Sequence, residues 1–293
     1  MNELLASALN PLILIYVVSA MLALGLGQTV SQILEPLRSL RLTLSTLAAS
    51  YLILPLLAAS TARRFGLDAG LRLGLVLIAM SAGAEVGPLL TSTSKANVRL
   101  SAGILVLSLG VTIFYLPLML GVFLPDVHFD VKHLVLKLFL TILGPLLLGL
   151  LIRSRFEKIA HALETPLHWI SRVFVIAVTL TIIILYYKPI IGLFGTYTIL
   201  AAFISVTGGF AIGYLLGWPD RETRLAMAYM HGARSASIAA LVAADVFRDQ
   251  PNVILGVATV TIFILGLLIP ASYLFRIKQG PAVLPAGTDP TQG

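Results

Sequence analysis

The segment Ala79-Met-Ser-Ala-Gly-Ala-Glu-Val-Gly-Pro-Leu-Leu-Thr-Ser-Thr-Ser-Lys95 has helix-breaking and charged residues inside an otherwise apolar run. Gly83, Glu85, Gly87 and Pro88 fall within six residues. Glycine loses the most conformational entropy on ordering, and a proline inside a helix removes a backbone donor and clashes with the preceding turn. The stretch therefore predicts a break in a helix.

Such a break has a functional meaning inside a membrane. Backbone groups freed in hydrocarbon find partners only where protein or water covers them, which usually means a cavity or a substrate path. Glu85 follows fourteen residues of apolar segment that begin at Leu71, so at 1.5 Å rise per residue it lies near mid-membrane. Ionisable groups at that depth are functional-site candidates by default.

A second interrupted segment lies downstream, in Arg224-Leu-Ala-Met-Ala-Tyr-Met-His-Gly-Ala-Arg-Ser-Ala-Ser-Ile-Ala-Ala-Leu241. Its apolar run is interrupted by His231, Gly232, Arg234, Ser235 and Ser237. Two broken spans at corresponding positions of two halves indicate the binding site of a secondary transporter built from inverted repeats.

The composition predicts a polytopic membrane protein whose surroundings are the lipid bilayer. Of 293 residues, 58% are hydrophobic and only 11% are charged, and the mean hydropathy is +0.98. The net charge of +7 does not indicate nucleic acid, because the basic residues stand singly at the ends of apolar runs, as positive-inside topology requires. The chain has no cysteine, and no motif for catalysis, a metal or another cofactor is present, so we expect a protein that is not an enzyme.

Apolar runs of about 20 residues predict nine transmembrane helices in an all-α fold. They cover residues 9–29, 42–61, 71–94, 100–124, 134–152, 166–187, 197–218, 225–247 and 253–275. The broken third and eighth spans are five apart, so the repeats that contain them run antiparallel, with spans one to four matching spans six to nine. Residues 279–293, rich in Pro, Gly and Thr, predict a disordered tail.

The Lys and Arg residues of the connections predict the orientation. With the N-terminus outside, twelve of them lie on the cytoplasmic side and seven on the other. This favours a multi-pass protein of the cell (inner) membrane with the N-terminus outside and the C-terminus in the cytoplasm.

Motifs along nearly the whole chain resemble the bile acid:sodium symporter family. They are Met21-Leu-Ala-Leu-Gly-Leu, Leu54-Pro-Leu-Leu-Ala, Phe65-Gly-Leu, Leu73-Gly-Leu, the stretch 81–101 with Lys95-Ala-Asn-Val-Arg-Leu-Ser101, Gly213-Tyr-Leu-Leu-Gly217, and Ala233-Arg-Ser-Ala-Ser-Ile-Ala-Ala-Leu. The resemblance implies a membrane domain over residues 1–278, whose two broken helices cross near the substrate. It also implies panel helices at about 9–61 and 166–218, and core helices at about 71–152 and 225–275.

The sequence departs from the family pattern where the resemblance places sodium ligands. The family's Ser-Asn pair falls on Gly87 and Pro88, and a family glutamine falls on Ser50. Its Glu, Gln and Asn of the later crossover fall on Tyr229, Ala233 and Arg234, and Ser101 alone keeps a family ligand. Sodium needs several oxygens, so we expect no sodium coupling; a conventional symporter with backbone ligands and Ser101 is the alternative.

The candidate residues have functional and structural interpretations. The predicted substrate-binding set is Arg234, Glu85, His231, Ser235, Ser237, Thr91 and Asn97, and the predicted helix breakers are Gly83, Gly87, Pro88 and Gly232. The hydroxyl groups serve either a ligand or the freed backbone, and the histidine either relays protons or fills a structural place. For the two charged residues, Glu85 and Arg234, we predict an ion pair between the crossing helices, because an isolated charge at mid-membrane is costly.

These residues predict a secondary transporter or facilitator of a small organic anion that works by alternating access. Arg234 supplies a fixed guanidinium, and the half-helix N-termini supply free N–H groups. Protonation of Glu85, relayed by His231, is a further coupling option. A membrane sensor or scaffold that keeps the transporter fold without transport is the alternative from another class.

Overall fold

The computed structural model describes residues 2–29, 31, 34, 38–123, 130–193 and 196–277. Its helices are α1 (Asn2–Gly27), α2 (Leu40–Arg64), α3 (Ala69–Met80), α4 (Gly87–Thr93), α5 (Val98–Phe123), α6 (Val131–Arg155), α7 (Glu157–Gly192), α8 (Tyr197–Leu216), α9 (Arg221–Gly232), α10 (Ala236–Val246) and α11 (residues 251–277). The predicted tail at residues 279–293 lies outside the described residues.

Three helices contain a short π-helical turn that ends two residues before a proline. The turns are Ala49–Ile53 in α2, Phe139–Leu143 in α6 and Ile264–Leu268 in α11. Proline lacks a backbone N–H and crowds the preceding turn. A wider turn relieves this conflict and lets each helix continue.

Within the described residues, six helices are long and apolar enough to cross a membrane. They are Ala8–Gly27, Leu40–Arg64, Val98–Val122, Val131–Arg155, Tyr197–Leu216 and Pro251–Arg276. Large apolar side chains such as Leu118, Leu140 and Leu151 are exposed on the outside of the bundle, where lipid tails would cover them. The prediction of a polytopic, all-helical membrane protein is confirmed at this level.

Two further apolar regions, α3–α4 and α9–α10, are each interrupted by a non-helical segment. The first is interrupted at residues 81–86 and the second at residues 233–235. The backbone N–H of Ser235 donates to the carbonyl oxygen of Ser81 at 2.9 Å. The two interruptions therefore meet. The first supplies a carbonyl oxygen and the second an N–H group, so each provides a hydrogen-bond partner for the other.

The helices pack in two groups. The first group is α1 with α6 and α7, and in the rest of the bundle α2 packs on α3 and α8, α3 on α11, and α8 on α9. Within the first group, a Cβ on Gly25 would overlap the backbone around Gly149, so glycine permits the close approach. This packing differs from the predicted grouping, which put residues 9–61 together as panel helices and residues 134–152 in the core.

Helix α7 begins at Glu157, nine residues before the start predicted from hydropathy. Its first turns are polar on one face: Glu157 lies 3.8 Å from His161, and His161 lies 3.8 Å from Glu164. Charge pairs one turn apart support a helix that an apolar run alone does not indicate.

Candidate functional site

The first interruption turns the chain through a left-handed residue. Gly83 has a φ of 92°, a conformation that side chains with a Cβ rarely adopt. The carbonyl oxygen of Ala82 accepts a hydrogen bond from the Thr112 hydroxyl at 3.2 Å. Gly87 and Pro88 are the first two residues of α4, where a missing N–H breaks no helical hydrogen bond.

Glu85 lies in this interruption and contacts the second one. Its Oε1 accepts a hydrogen bond from Ser235 Oγ at 2.9 Å and a shorter one from Ser237 Oγ. The two serine hydroxyls are 3.0 Å apart. The carboxyl group therefore ties the first break to the start of α10.

Arg234 is buried, and its partners are oxygens of α2 and α3. Its Nη2 donates to the Ser50 carbonyl oxygen at 3.1 Å and, over a shorter distance, to the Ala79 carbonyl oxygen. Its Nη1 lies 3.5 Å from Ser50 Oγ. Broken and widened helical turns leave carbonyl oxygens exposed, and a guanidinium has five N–H donors to satisfy them.

The predicted ion pair between Glu85 and Arg234 is wrong. Within the described parts of the chain, the acids that form ion pairs are Glu157, Glu164 and Asp245. Serine hydroxyls donate to Glu85, and main-chain oxygens accept from Nη2 of Arg234. The prediction counted only opposite charges as partners, whereas a helix break supplies carbonyl dipoles as well.

A cavity of about 490 Å³ lies beside the meeting point of the two breaks. One wall comes from α1 and α7, and the other from the two interrupted segments and α11. Its polar lining residues are Tyr16, Glu85, His168, Ser171, Arg172, Arg234 and Thr261. A second, apolar cavity of about 90 Å³ shares Tyr16 and Thr261 with it and reaches Ser237. The lining combines a wide apolar surface with a few charged groups, as in small-molecule sites.

The other predicted residues lie elsewhere. His231 is buried, and its Nδ1 lies 2.7 Å from the Met227 carbonyl oxygen. Thr91 bonds back to Gly87 O at 2.9 Å, and Asn97 Oδ1 accepts from the Leu100 N–H at 3.0 Å. Thr91 and Asn97 thus serve the local backbone.

Two more predicted positions have local backbone roles. Gly232 ends α9 against Phe210. The weak sodium candidate Ser101 is buried, and its Oγ donates to the Val98 carbonyl oxygen at 2.8 Å. This hydroxyl therefore bonds to the backbone of its own helix.

Sequence reasoning missed His168, Ser171 and Arg172, which face the cavity from α7. His168 and Arg172 are four residues apart and thus share a helix face. Two basic residues on one face, at the start of a predicted span, were the available signal. In the predicted topology, Arg172 is one of the twelve basic residues on the cytoplasmic side.

The described residues contain no cluster of three or more His, Asp or Glu that could hold a metal ion. Of the positions where the resemblance places sodium ligands, Ser50 and Arg234 are in contact, and the contact is made by a guanidinium.

A sequence model of the sodium bile acid symporter family matches residues 14–210, about two thirds of the chain. No curated protein matches the chain. The matched region runs from α1 into α8 and includes the first break, Glu85 and the basic face of α7. The family is one of membrane transporters rather than enzymes, and on this match the chain belongs to the sodium bile acid symporter family.

Proposed function

We propose that this transporter carries a small organic anion across the membrane by alternating access at the cavity beside the two breaks. The observation that carries the proposal is the position of this cavity, between α1 and α7 on one side and the interrupted segments with α11 on the other. Relative movement of these two groups would expose the cavity to one side of the membrane and then to the other.

The charges around the cavity favour an anion. Arg234 and Arg172 line it together with one carboxyl group, that of Glu85. Arg172 can offer a carboxylate two parallel donors, and Arg234 adds a fixed positive charge whose Nη donors are held by Ser50 and Ala79. The wide apolar surface, which continues into the cavity of about 90 Å³, favours a substrate with an apolar body behind its acid group.

We further propose that transport does not require sodium. Arg234 stands at a position where the resemblance places a sodium ligand, and it donates to Ser50, which stands at another. A fixed guanidinium there places a positive charge where the two breaks meet, and this charge repels a sodium ion. The Ser50 oxygens are engaged with arginine, and the Ser101 hydroxyl is engaged with the Val98 carbonyl oxygen.

Glu85 is the candidate for proton coupling. Two hydroxyl groups contact its carboxyl oxygen, and no Lys, Arg or His of the described residues forms an ion pair with it. The charged and titratable groups around it are Tyr16 on α1, His168 and Arg172 on α7, and Arg234 at the second break. Gain and loss of a proton at Glu85 would change the contact that joins the two breaks.

The test begins with a thermal-shift screen of organic acids on the purified protein, because a ligand that binds the native state raises its stability. The best ligand, radiolabelled, is then offered to proteoliposomes in sodium and in choline buffers of equal ionic strength. We expect equal uptake in both, and faster uptake with an inward proton gradient. Loss of uptake in choline would contradict sodium independence and favour a symporter with backbone ligands.

The same assay separates a transporter from a sensor or scaffold. A sensor would show the thermal shift without uptake under any gradient. The Glu85→Gln variant refines the result: uptake that no longer responds to the proton gradient supports coupling at Glu85. An unchanged response would contradict it.

A further inference from the structure

Three residues that carry unpartnered buried polar atoms line one small cavity next to the second break. Four buried side-chain polar atoms in the described residues have no hydrogen-bond partner. Three of them, Ser205 Oγ, His231 Nε2 and Arg234 Nε, belong to residues that line the same cavity of about 10 Å³. A buried polar atom without a partner is unfavourable, and more so beside a charged group. Because the three residues line the same cavity, one molecule in that cavity could be the partner of all three atoms.

The hydrogen-bonding character of the three atoms is complementary. The Nδ1 of His231 lies 2.7 Å from the Met227 carbonyl oxygen, and a carbonyl only accepts, so Nδ1 carries the proton and Nε2 of the neutral ring is an acceptor. The backbone of Thr46 also lies beside this ring, but Nε2 forms no hydrogen bond with it. Arg234 Nε is a donor, and the Ser205 hydroxyl can act as a donor or as an acceptor.

We propose that this cavity is a binding site for one water molecule, which accepts from Arg234 Nε and donates to His231 Nε2 and Ser205 Oγ. A volume of about 10 Å³ is the size at which a polar cavity begins to admit a single water, and three partners are the usual number for a buried water. A cation would meet the guanidinium, and an anion would meet the lone pair of Nε2. Water alone satisfies all three atoms.

The water would act as a positioning element for Arg234. The guanidinium already binds Ser50 and Ala79 through Nη1 and Nη2, and a partner at Nε fixes the remaining edge of the plane. It would also join α8, which carries Ser205, to the end of α9 and to the second break. Through this water, Ser205 and His231 would hold the guanidinium of Arg234 in one orientation.

The test is a structure of the wild-type protein at a resolution that resolves ordered water, collected in chloride and in bromide. We expect one peak within hydrogen-bonding distance of all three atoms, with no anomalous signal from bromide. A clear map without that peak, or a peak that scatters as bromide, would overturn the proposal.

Two variants give an independent measurement. Ser205→Ala removes a hydroxyl and leaves room for the water, whereas Ser205→Val fills the cavity with methyl groups and displaces it. We expect Ser205→Val to melt about 3 °C below Ser205→Ala. Thr207→Val is the matched control, because this hydroxyl on the same helix is exposed and bonds to Phe203 O at 2.7 Å. Equal melting temperatures for the two Ser205 variants would contradict a bound water.

Discussion

At the point where the two breaks meet, Arg234 is stabilised by main-chain oxygens rather than by a carboxylate. A lone arginine at mid-membrane costs on the order of 3 kcal/mol on insertion scales. The oxygens of Ser50 and Ala79 offset part of this cost, because their dipoles point at the cation. The charge is thus held between α2 and α3, and its position depends on the planar shape of the guanidinium as well as on its charge.

Substitution of Arg234 by lysine tests that dependence on shape. Arg234→Lys keeps the positive charge, but an ammonium does not bridge the Ser50 and Ala79 oxygens in the same fork. We expect a loss of about 1–3 kcal/mol in the free energy of unfolding and at least a tenfold loss of uptake. The control is Arg221→Lys, since Arg221 is exposed and donates to one carbonyl oxygen, that of Phe275, at 3.1 Å. Similar effects for the two variants would contradict the role assigned to Arg234.

The contact between Glu85 and Ser237 predicts an energetic coupling. Glu85→Gln removes the negative charge that the Ser237 hydroxyl binds, and Ser237→Ala removes the hydroxyl itself, so both variants weaken the same hydrogen bond between the first break and α10. Their combined effect on thermal stability should fall short of the sum by about 1–2 kcal/mol. Ser60 supplies the control, because its exposed hydroxyl bonds to Leu57 O within α2. Coupling of Glu85→Gln with Ser60→Ala should stay below about 0.5 kcal/mol; additivity in both cycles would exclude the contact.

At the scale of the helix, the breaks follow from local chemistry. Gly83 takes a φ of 92°, and Ser235 caps α10 by accepting the Ile238 N–H at 3.3 Å. Glycine, proline and capping serine act on their own turn of chain, so their effect can be predicted from the sequence. The partners of Arg234 could not, because Ser50 and Ala79 are 184 and 155 residues away along the chain, and only the packed helices bring them together.

Alanine at Gly83 tests the geometry of the first break. A Cβ at this positive φ would approach the Leu109 side chain to 2.8 Å, so Gly83→Ala should lower the free energy of unfolding by about 1–3 kcal/mol. Gly110→Ala is the control, since nothing lies within 4 Å of a Cβ at that helical position. There, alanine should raise stability by up to about 1 kcal/mol. If both variants were stabilised alike in a thermal melt, the left-handed turn at Gly83 would be refuted.

For the whole molecule, the sequence predicts where the helices lie along the chain better than it predicts which helices pack against each other. Apolar runs and breaks are properties of single segments, whereas the pairing of α1 with α6 and α7 depends on tertiary contacts such as that of Gly25 with Gly149. A single glycine carries no indication of its partner. The same limit explains why His168 and Arg172 were missed as cavity residues: their orientation depends on which helices α7 meets.

Contacts between connections divide the bundle into two ends. At one end, the Asn97 N–H donates to the Glu222 carbonyl oxygen at 3.4 Å, and Arg221 donates to the Phe275 carbonyl oxygen at 3.1 Å. These residues lie after α4, at the start of α9 and at the end of α11. In the nine-span topology that we propose, all three places lie on the cytoplasmic side.

The opposite end collects the other connections. Asn252, at the start of α11, donates to Asp68 Oδ1 before α3 at 3.2 Å, and Lys137 in α6 lies 2.6 Å from Asp245 at the end of α10. The proposed topology puts these places on the outer side. The two sets of contacts are those expected for chain crossings that alternate, and the distribution of basic residues favours the first end as the cytoplasmic one.

Cysteine labelling in intact cells tests both the crossings and the orientation, because the chain has no cysteine of its own. Ser154 and Asp249 are exposed near the two ends, Ser154 in the last turn of α6 and Asp249 between α10 and α11. A membrane-impermeant maleimide should label Asp249→Cys in intact cells and Ser154→Cys only after permeabilisation. The reverse pattern would invert the orientation and leave the fold unchanged. Labelling of both sites in intact cells would instead place the two ends on one side of the membrane, and that would contradict the nine crossings on which alternating access at the cavity depends.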